Sequence, residues 1–248
     1  MRYSALLLLL ACLAFPLHAQ EKPAAASSGV GTAFLVSDYG HLVTSYHTIK
    51  DRAQILLGPM PNNKWMIAKL VYSNPTTDLA LLKADILRPG LPIANWKTVP
   101  IGLEVFVIGY PQPDIMGMSS KITQGIINGN SPRAEQFQLS AEIQKGNSGG
   151  PVLAPDGSVV GVVVSKLNAP EIAARTKDFP QNVNYALRSD TLLNFIKEAG
   201  INLDSRPLDF ADPIKPYQMY KKVEFSIFAV IGRDLPAAKA PSDVKETP

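Results

Sequence analysis

Gly146-Asn147-Ser148-Gly149-Gly150 is the stretch on which the reading of this 248-residue chain turns. Glycines on both sides of a serine let the backbone turn tightly and leave the hydroxyl exposed. By itself the stretch reads either as a nucleophile presented on a turn or as a glycine-rich connection between strands. A serine hydroxyl attacks well only when a base takes its proton, and the usual base is a neutral imidazole with a carboxylate on its other nitrogen.

The same letters satisfy the G-x-S-x-G elbow, in which serine, acid and histidine follow in that chain order. Here the three histidines, His18, His41 and His47, all precede Ser148, which removes that reading. His18 falls in a leader segment. His41 follows the turn residue Gly40 and reads as a surface residue, whereas His47 sits near the end of the run Leu42-Val43-Thr44-Ser45-Tyr46-His47-Thr48-Ile49. His47 is the candidate base; without the serine motif, a lone strand histidine would read as structural. Asp78 stands between Thr77 and the apolar run Leu79-Ala80-Leu81-Leu82, at the mouth of a buried strand, and is the candidate acid. Asp51, Asp85 and Asp114 lie in looser contexts.

Short β-branched or alternating runs follow one another along the chain: 32–36, 41–49, 53–57, 65–72, 79–83, 104–108, 121–127, 137–143, 152–154, 159–165 and 184–187. Turn signals such as Asp38-Tyr39-Gly40, Asn128-Gly129 and Asp156-Gly157 separate them. Many short strands at near-regular spacing predict an all-β sandwich or barrels. One helix is expected, capped by Ser189-Asp190, carrying Leu192, Leu193, Phe195 and Ile196 at helical spacing and ended by Gly200. Beyond it, 223–231 reads as strand, Lys215 to Lys222 as a solvated basic stretch and 235–248 as a disordered tail. The expected organisation is a signal peptide (1–19), a flexible linker (20–28), a folded body (29–200), an extension (201–234) and the tail.

The chain holds 24 basic and 21 acidic residues, formally +3 and scattered, which excludes the dense basic footprint of a nucleic-acid binder. Cys12 is the only cysteine, so a disulfide framework, a Cys-based zinc site and cysteine catalysis in the body are excluded. No cofactor or metal is expected. Arg2, the apolar run 6–14 and Ala19 read as a secretory signal cleaved after Ala19, and the run is shorter than the ~20 residues a span needs. No stable membrane insertion is expected. Leu9-Leu10-Ala11-Cys12 offers a second reading, a lipoprotein signal, against which the apolar residues continue to Leu17. A periplasmic or secreted location follows.

The order His47, Asp78, Ser148 resembles the trypsin-like serine proteases of the chymotrypsin fold, and among them the bacterial Deg/HtrA branch. Four stretches carry the resemblance: Gly31-Thr32-Ala33-Phe34-Leu35-Val36 with Leu42 to His47; Asp78-Leu79-Ala80-Leu81-Leu82-Lys83; Ile108-Gly109-Tyr110-Pro111; and Gly146-Asn147-Ser148-Gly149-Gly150-Pro151-Val152. It covers roughly Gly29 to Gly200. It implies two six-stranded antiparallel β-barrels with a C-terminal helix, His47 and Asp78 on the first barrel, Ser148 on the second, and an oxyanion hole from the N–H groups of Gly146 and Ser148. The implied function is an exported serine endopeptidase acting on protein or peptide substrates through an acyl-enzyme, in envelope protein quality control or on one specific substrate. A non-catalytic peptide-binding module on the same fold and an esterase using the same triad are the alternatives.

Asn147 stands where digestive relatives carry an aspartate that pairs with a newly cut amine, so no zymogen cleavage beyond signal removal is expected. Glu142 stands where the floor of the substrate pocket lies in relatives of trypsin type; a buried carboxylate there would favour Arg or Lys. A different loop geometry would instead leave Glu142 in solvent or paired with Lys145. The 48 residues after Gly200 are not expected to form a PDZ domain, and the oligomeric state is left open.

Overall fold

A computed structural model describes residues 29–60, 64–166 and 183–234. The expected signal peptide with Cys12, the linker 20–28 and the tail 235–248 lie outside the described residues. In chain order the first strands are β1 (Val30–Leu35), β2 (His41–Ser45), β3 (Gln54–Met60), β4 (Lys64–Asn74), β5 (Leu79–Lys83), β6 (Ile93–Ala94) and β7 (Glu104–Gly109). Then come β8 (Lys121–Asn130), β9 (Gln136–Leu139), β10 (Pro151–Leu153), β11 (Val159–Lys166), β12 (Asn184–Arg188), β13 (Ser205–Arg206) and β14 (Ile227–Arg233). The helices are α1 (Tyr46–Ile49), α2 (Pro113–Met116), α3 (Ser189–Glu198) and α4 (Pro216–Val223).

Two six-stranded antiparallel barrels result. The first closes in the order β1-β14-β3-β4-β5-β2. The second runs β10-β7-β8-β9-β12-β11 and closes through the β10–β11 pairing, with β6 joined to β11 and β13 joined to β6 by short parallel pairings. Strand alternation explains both the interiors and their junction. On β1, Ala33 and Leu35 face the first interior with Leu42, Leu57, Leu82 and Val230, while Phe34, and Val36 just past the strand, pack in the junction with the other barrel. On β7, Val105 and Val107 join the second interior with Ile127, Phe137 and Val163, while Phe106 and Ile108 meet Phe34 in the junction. Strands buried on both faces read in sequence as unbroken apolar runs, as 79–82 and 105–108 do.

Four expectations change. The run 41–49 is not one strand: it ends at Ser45 and turns into α1, because two main-chain N–H groups at the turn find acceptors on Asp78. The cap of α3 is Arg188, whose side chain makes no capping bond, and Ser189 is the first helical residue, its hydroxyl buried without a partner among the described residues. The basic stretch 215–222 keeps its lysines exposed but is largely helix α4, which buries Met219 and Val223 while Lys222 Nζ donates to the Asp156 carbonyl at 3.0 Å. Finally, residues 29–200 supply five of the six strands of the first barrel. The sixth, β14, lies in the segment read as an extension and pairs with β1 from Val30↔Ile231 to Phe34↔Ile227 and with β3 from Ala229↔Gly58 to Arg233↔Gln54. Its alternating Phe228 and Val230 complete the interior, and each such side chain contributes about 1.5–3 kcal/mol when buried.

Candidate active site

The candidate base and acid meet at the end of the first barrel. Asp78 ends the turn that leads into β5 and lies in the left-handed backbone region, φ 56°, which costs a residue with a Cβ about 1–2 kcal/mol. That conformation lets one aspartate hold α1 at three points. Its carbonyl accepts from Tyr46 N–H at 2.9 Å, Oδ1 accepts from His47 N–H at 2.8 Å, and Oδ2 lies 2.6 Å from His47 Nδ1. The carboxylate thus satisfies an otherwise orphaned N–H of the helix start and fixes the imidazole plane. The bond to Asp78 raises the His47 pKa above its ordinary value; partial burial opposes this and the Asp78 charge reinforces it. His47 is exposed, with Nε2 left for a partner.

The serine turn crosses from the second barrel to touch the first. Gly149 lies so close to Ser45 that an added Cβ would stand 2.4 Å from its nitrogen, two residues before His47. Ser148 is half-buried, and its hydroxyl has no hydrogen-bond partner among the described residues.

The main chain of this turn can be fully accounted for on its acceptor side. Gln144 C=O accepts from Asn147 N–H (3.0 Å), Lys145 C=O from Gln112 N–H (2.7 Å), Asn147 C=O from Gly150 N–H (2.9 Å) and Ser148 C=O from Thr32 N–H (2.9 Å). Gly146 C=O accepts from the Thr32 hydroxyl (2.7 Å). On the donor side Gly149 N–H reaches Val163 C=O at 2.7 Å, yet the N–H groups of Gly146 and Ser148 have no partner among the described residues. Planar trans peptides with their carbonyls tied down aim these two N–H groups the opposite way. Gly146 adopts φ 104°, and a Cβ there would lie 2.2 Å from Tyr110 O, so only glycine fits.

Glu142 does not face a buried pocket. It is exposed, and Oε1 accepts from Gln144 Nε2 at 2.6 Å, a neighbour other than the expected Lys145. His41 is half-buried on β2 with Nδ1 2.8 Å from Ser37 Oγ, and burial, aided by Lys83, lowers its pKa. It is not grouped with Asp78. Asn147 is buried at 2% exposure and its Oδ1 lacks a partner among the described residues, an environment that accepts a neutral amide far better than a carboxylate. Among the described residues no cluster of His, Cys, Asp and Glu is arranged to hold a metal. Sequence reasoning missed Thr32 and Gln112 as site residues. The signal for Thr32 was a hydroxyl in an otherwise apolar strand; for Gln112, whose backbone has φ 39°, there was none.

Residues 31–162 match the family described as trypsin-like peptidase domain. The chain belongs to the trypsin-like peptidases. Its resemblance to the Deg/HtrA branch holds as well. The trypsin-like peptidase is 34% identical over 151 residues to a probable periplasmic serine endoprotease DegP-like of Chlamydia trachomatis, an alignment covering 58% of this chain and 29% of that protein. It is 40% identical over 189 residues to the uncharacterized protein y4bJ of Sinorhizobium fredii, covering 74% and 29%. Among solved structures, the HtrA-type protease AlgW with decapeptide superposes with a TM-score of 0.57 at 26% identity, covering 68% of this chain and 51% of that one. The serine endoprotease from Yersinia pestis gives 0.56 at 29% identity, covering 71% and 63%. The matched region spans about a third or less of the length of these two curated relatives. Among the described residues no helix of the peptidase is long and apolar enough to cross a membrane.

Proposed function

We propose that this chain is an exported serine endopeptidase that hydrolyses peptide bonds through His47, Asp78 and Ser148. Ser148 Oγ attacks the scissile carbonyl, His47 takes the hydroxyl proton and returns it to the leaving amine, and Asp78 holds the imidazole tautomer and stabilises its cation. The acyl-enzyme is then hydrolysed by water activated in the same way. The observation that carries the reading is the serine turn, in which all five carbonyls from Gln144 to Ser148 are engaged while the N–H groups of Gly146 and Ser148 stay unpaired among the described residues. Two such donors are what a developing oxyanion requires, each worth about 3 kcal/mol by mutational precedent. The doubly bonded Asp78–His47 pair supports the same reading. Relatives named periplasmic serine endoproteases support export and protein substrates, and envelope quality control is the role that fits both.

The test is intact mass after treatment of the mature protein with a fluorophosphonate, beside Ser148→Ala and a casein digestion. One adduct, absent in the variant and accompanied by casein cleavage, is the expected result. An adduct without cleavage of any protein substrate would favour an esterase, and a folded protein that forms no adduct would favour a peptide-binding module.

A further inference from the structure

The four peptide planes from Lys145–Gly146 to Ser148–Gly149 carry the oxyanion donors, and two of the four are held by one residue of the other barrel. Thr32, on β1, is fully buried. Its hydroxyl donates to Gly146 C=O at 2.7 Å and accepts from Tyr110 N–H at 3.1 Å, while its own N–H donates to Ser148 C=O at 2.9 Å. Its carbonyl is held in turn by Thr44 Oγ1 at 2.8 Å. Glycines make room for it: a Cβ on Gly109 would lie 2.7 Å from Thr32 Oγ1, and one on Gly150 would lie 3.1 Å from its methyl.

We infer that Thr32 is a positioning residue of the oxyanion hole, coupling the barrel that carries His47 to the turn that carries Ser148; the inference rests on the peptidase reading above. Successive peptide planes turn about shared Cα atoms, so the two donor-bearing planes can reorient only if the planes between and beyond them give way. Thr32 holds those two planes. A hydroxyl is required because the site needs one donor and one acceptor in the same place, for Gly146 C=O and Tyr110 N–H. Valine fills the same volume and offers neither, leaving both groups without partners.

The test compares wild type, Thr32→Val and Thr32→Ser for kcat and KM on a peptide from casein digestion, and for the rate of fluorophosphonate adduct formation. An oxyanion donor acts only in the transition state, so its displacement should lower kcat with KM little changed. The expected result for Thr32→Val is a fall in kcat and in adduct rate of about 10- to 100-fold, with KM within about twofold. Thr32→Ser keeps the hydroxyl and should keep kcat within about threefold. Wild-type kcat in Thr32→Val, or an equal loss in Thr32→Ser, would overturn the role of Thr32 while leaving the peptidase reading intact. A wild-type protein with neither adduct nor cleavage would overturn both. Should Thr32→Val fail to fold, Thr32→Ser still decides: a lowered Tm with retained kcat supports the assignment, and a large fall in kcat removes it.

Discussion

Asp78 holds His47 twice with one carboxylate, Oδ1 on the main-chain N–H at 2.8 Å and Oδ2 on Nδ1 at 2.6 Å. The first bond sets where α1 begins and the second sets which ring nitrogen carries the proton. In Asp78→Asn an amide oxygen can keep one of these bonds, so α1 should persist while the tautomer is lost. The expected outcome is a folded protein whose kcat falls on the order of 10⁴-fold. Steady-state kinetics beside far-UV circular dichroism checks both halves.

Activity and stability should move in opposite directions with pH around His47. The base works only when neutral, and its pKa is raised above 6.5, chiefly by the bond to Asp78. The acid limb of kcat/KM should therefore lie above pH 6.5 and move down in Asp78→Asn. For stability the sign reverses. A raised folded pKa contributes stability fully present below the unfolded value, about 6.5, and lost as pH rises through the folded value. The stability difference between wild type and His47→Gln should shrink over that window; a difference that grows with pH would contradict the pairing.

Gly146→Ala should abolish activity and destabilise the protein. The residue combines φ 104° with a backbone oxygen 2.2 Å from any added Cβ. Gly102 is the control, since it has φ 90° but open space around it. Gly102→Ala should show only the backbone cost of about 1–3 kcal/mol and full activity. Denaturant titrations and adduct rates for the two variants provide the comparison.

A chain that stops before Ile227 should not form an active peptidase. Removing β14 leaves β1 and β3 as unpaired neighbouring edges and opens the interior lined by Phe228 and Val230. It also removes the strand that approaches α1 most closely, where a Cβ on Gly232 would stand 3.0 Å from Thr48 O. Such edges invite association, so the expected product is aggregated or unfolded, without adduct formation. A soluble, fully active truncation would show that the barrel closes another way.

Glu142→Ala should leave cleavage-site preference unchanged, because the carboxylate is exposed and bonded to Gln144. Profiling the products of a denatured protein mixture before and after the substitution checks this. A loss of cleavage after Arg or Lys would place Glu142 in the substrate pocket after all.

The class of the fold and the three residues of the candidate triad are legible in the sequence. Both were legible because they are written in local terms: alternating apolar runs broken by turns, a glycine-flanked serine, and a chain order of histidine, acid and serine that only some folds can bring together. Helix α1 was misread as strand because its start depends on acceptors from Asp78, 31 residues away along the chain. The origin of the sixth strand in residues 227–233 was equally hidden, since strand pairing is a non-local choice and its apolar alternation is compatible with any open edge. Tertiary structure alone decided that Glu142 faces solvent and that Thr32 holds the carbonyls of Gly146 and Ser148. Those are matters of where hydrogen-bonding groups meet across two barrels, and no periodicity along one strand encodes them.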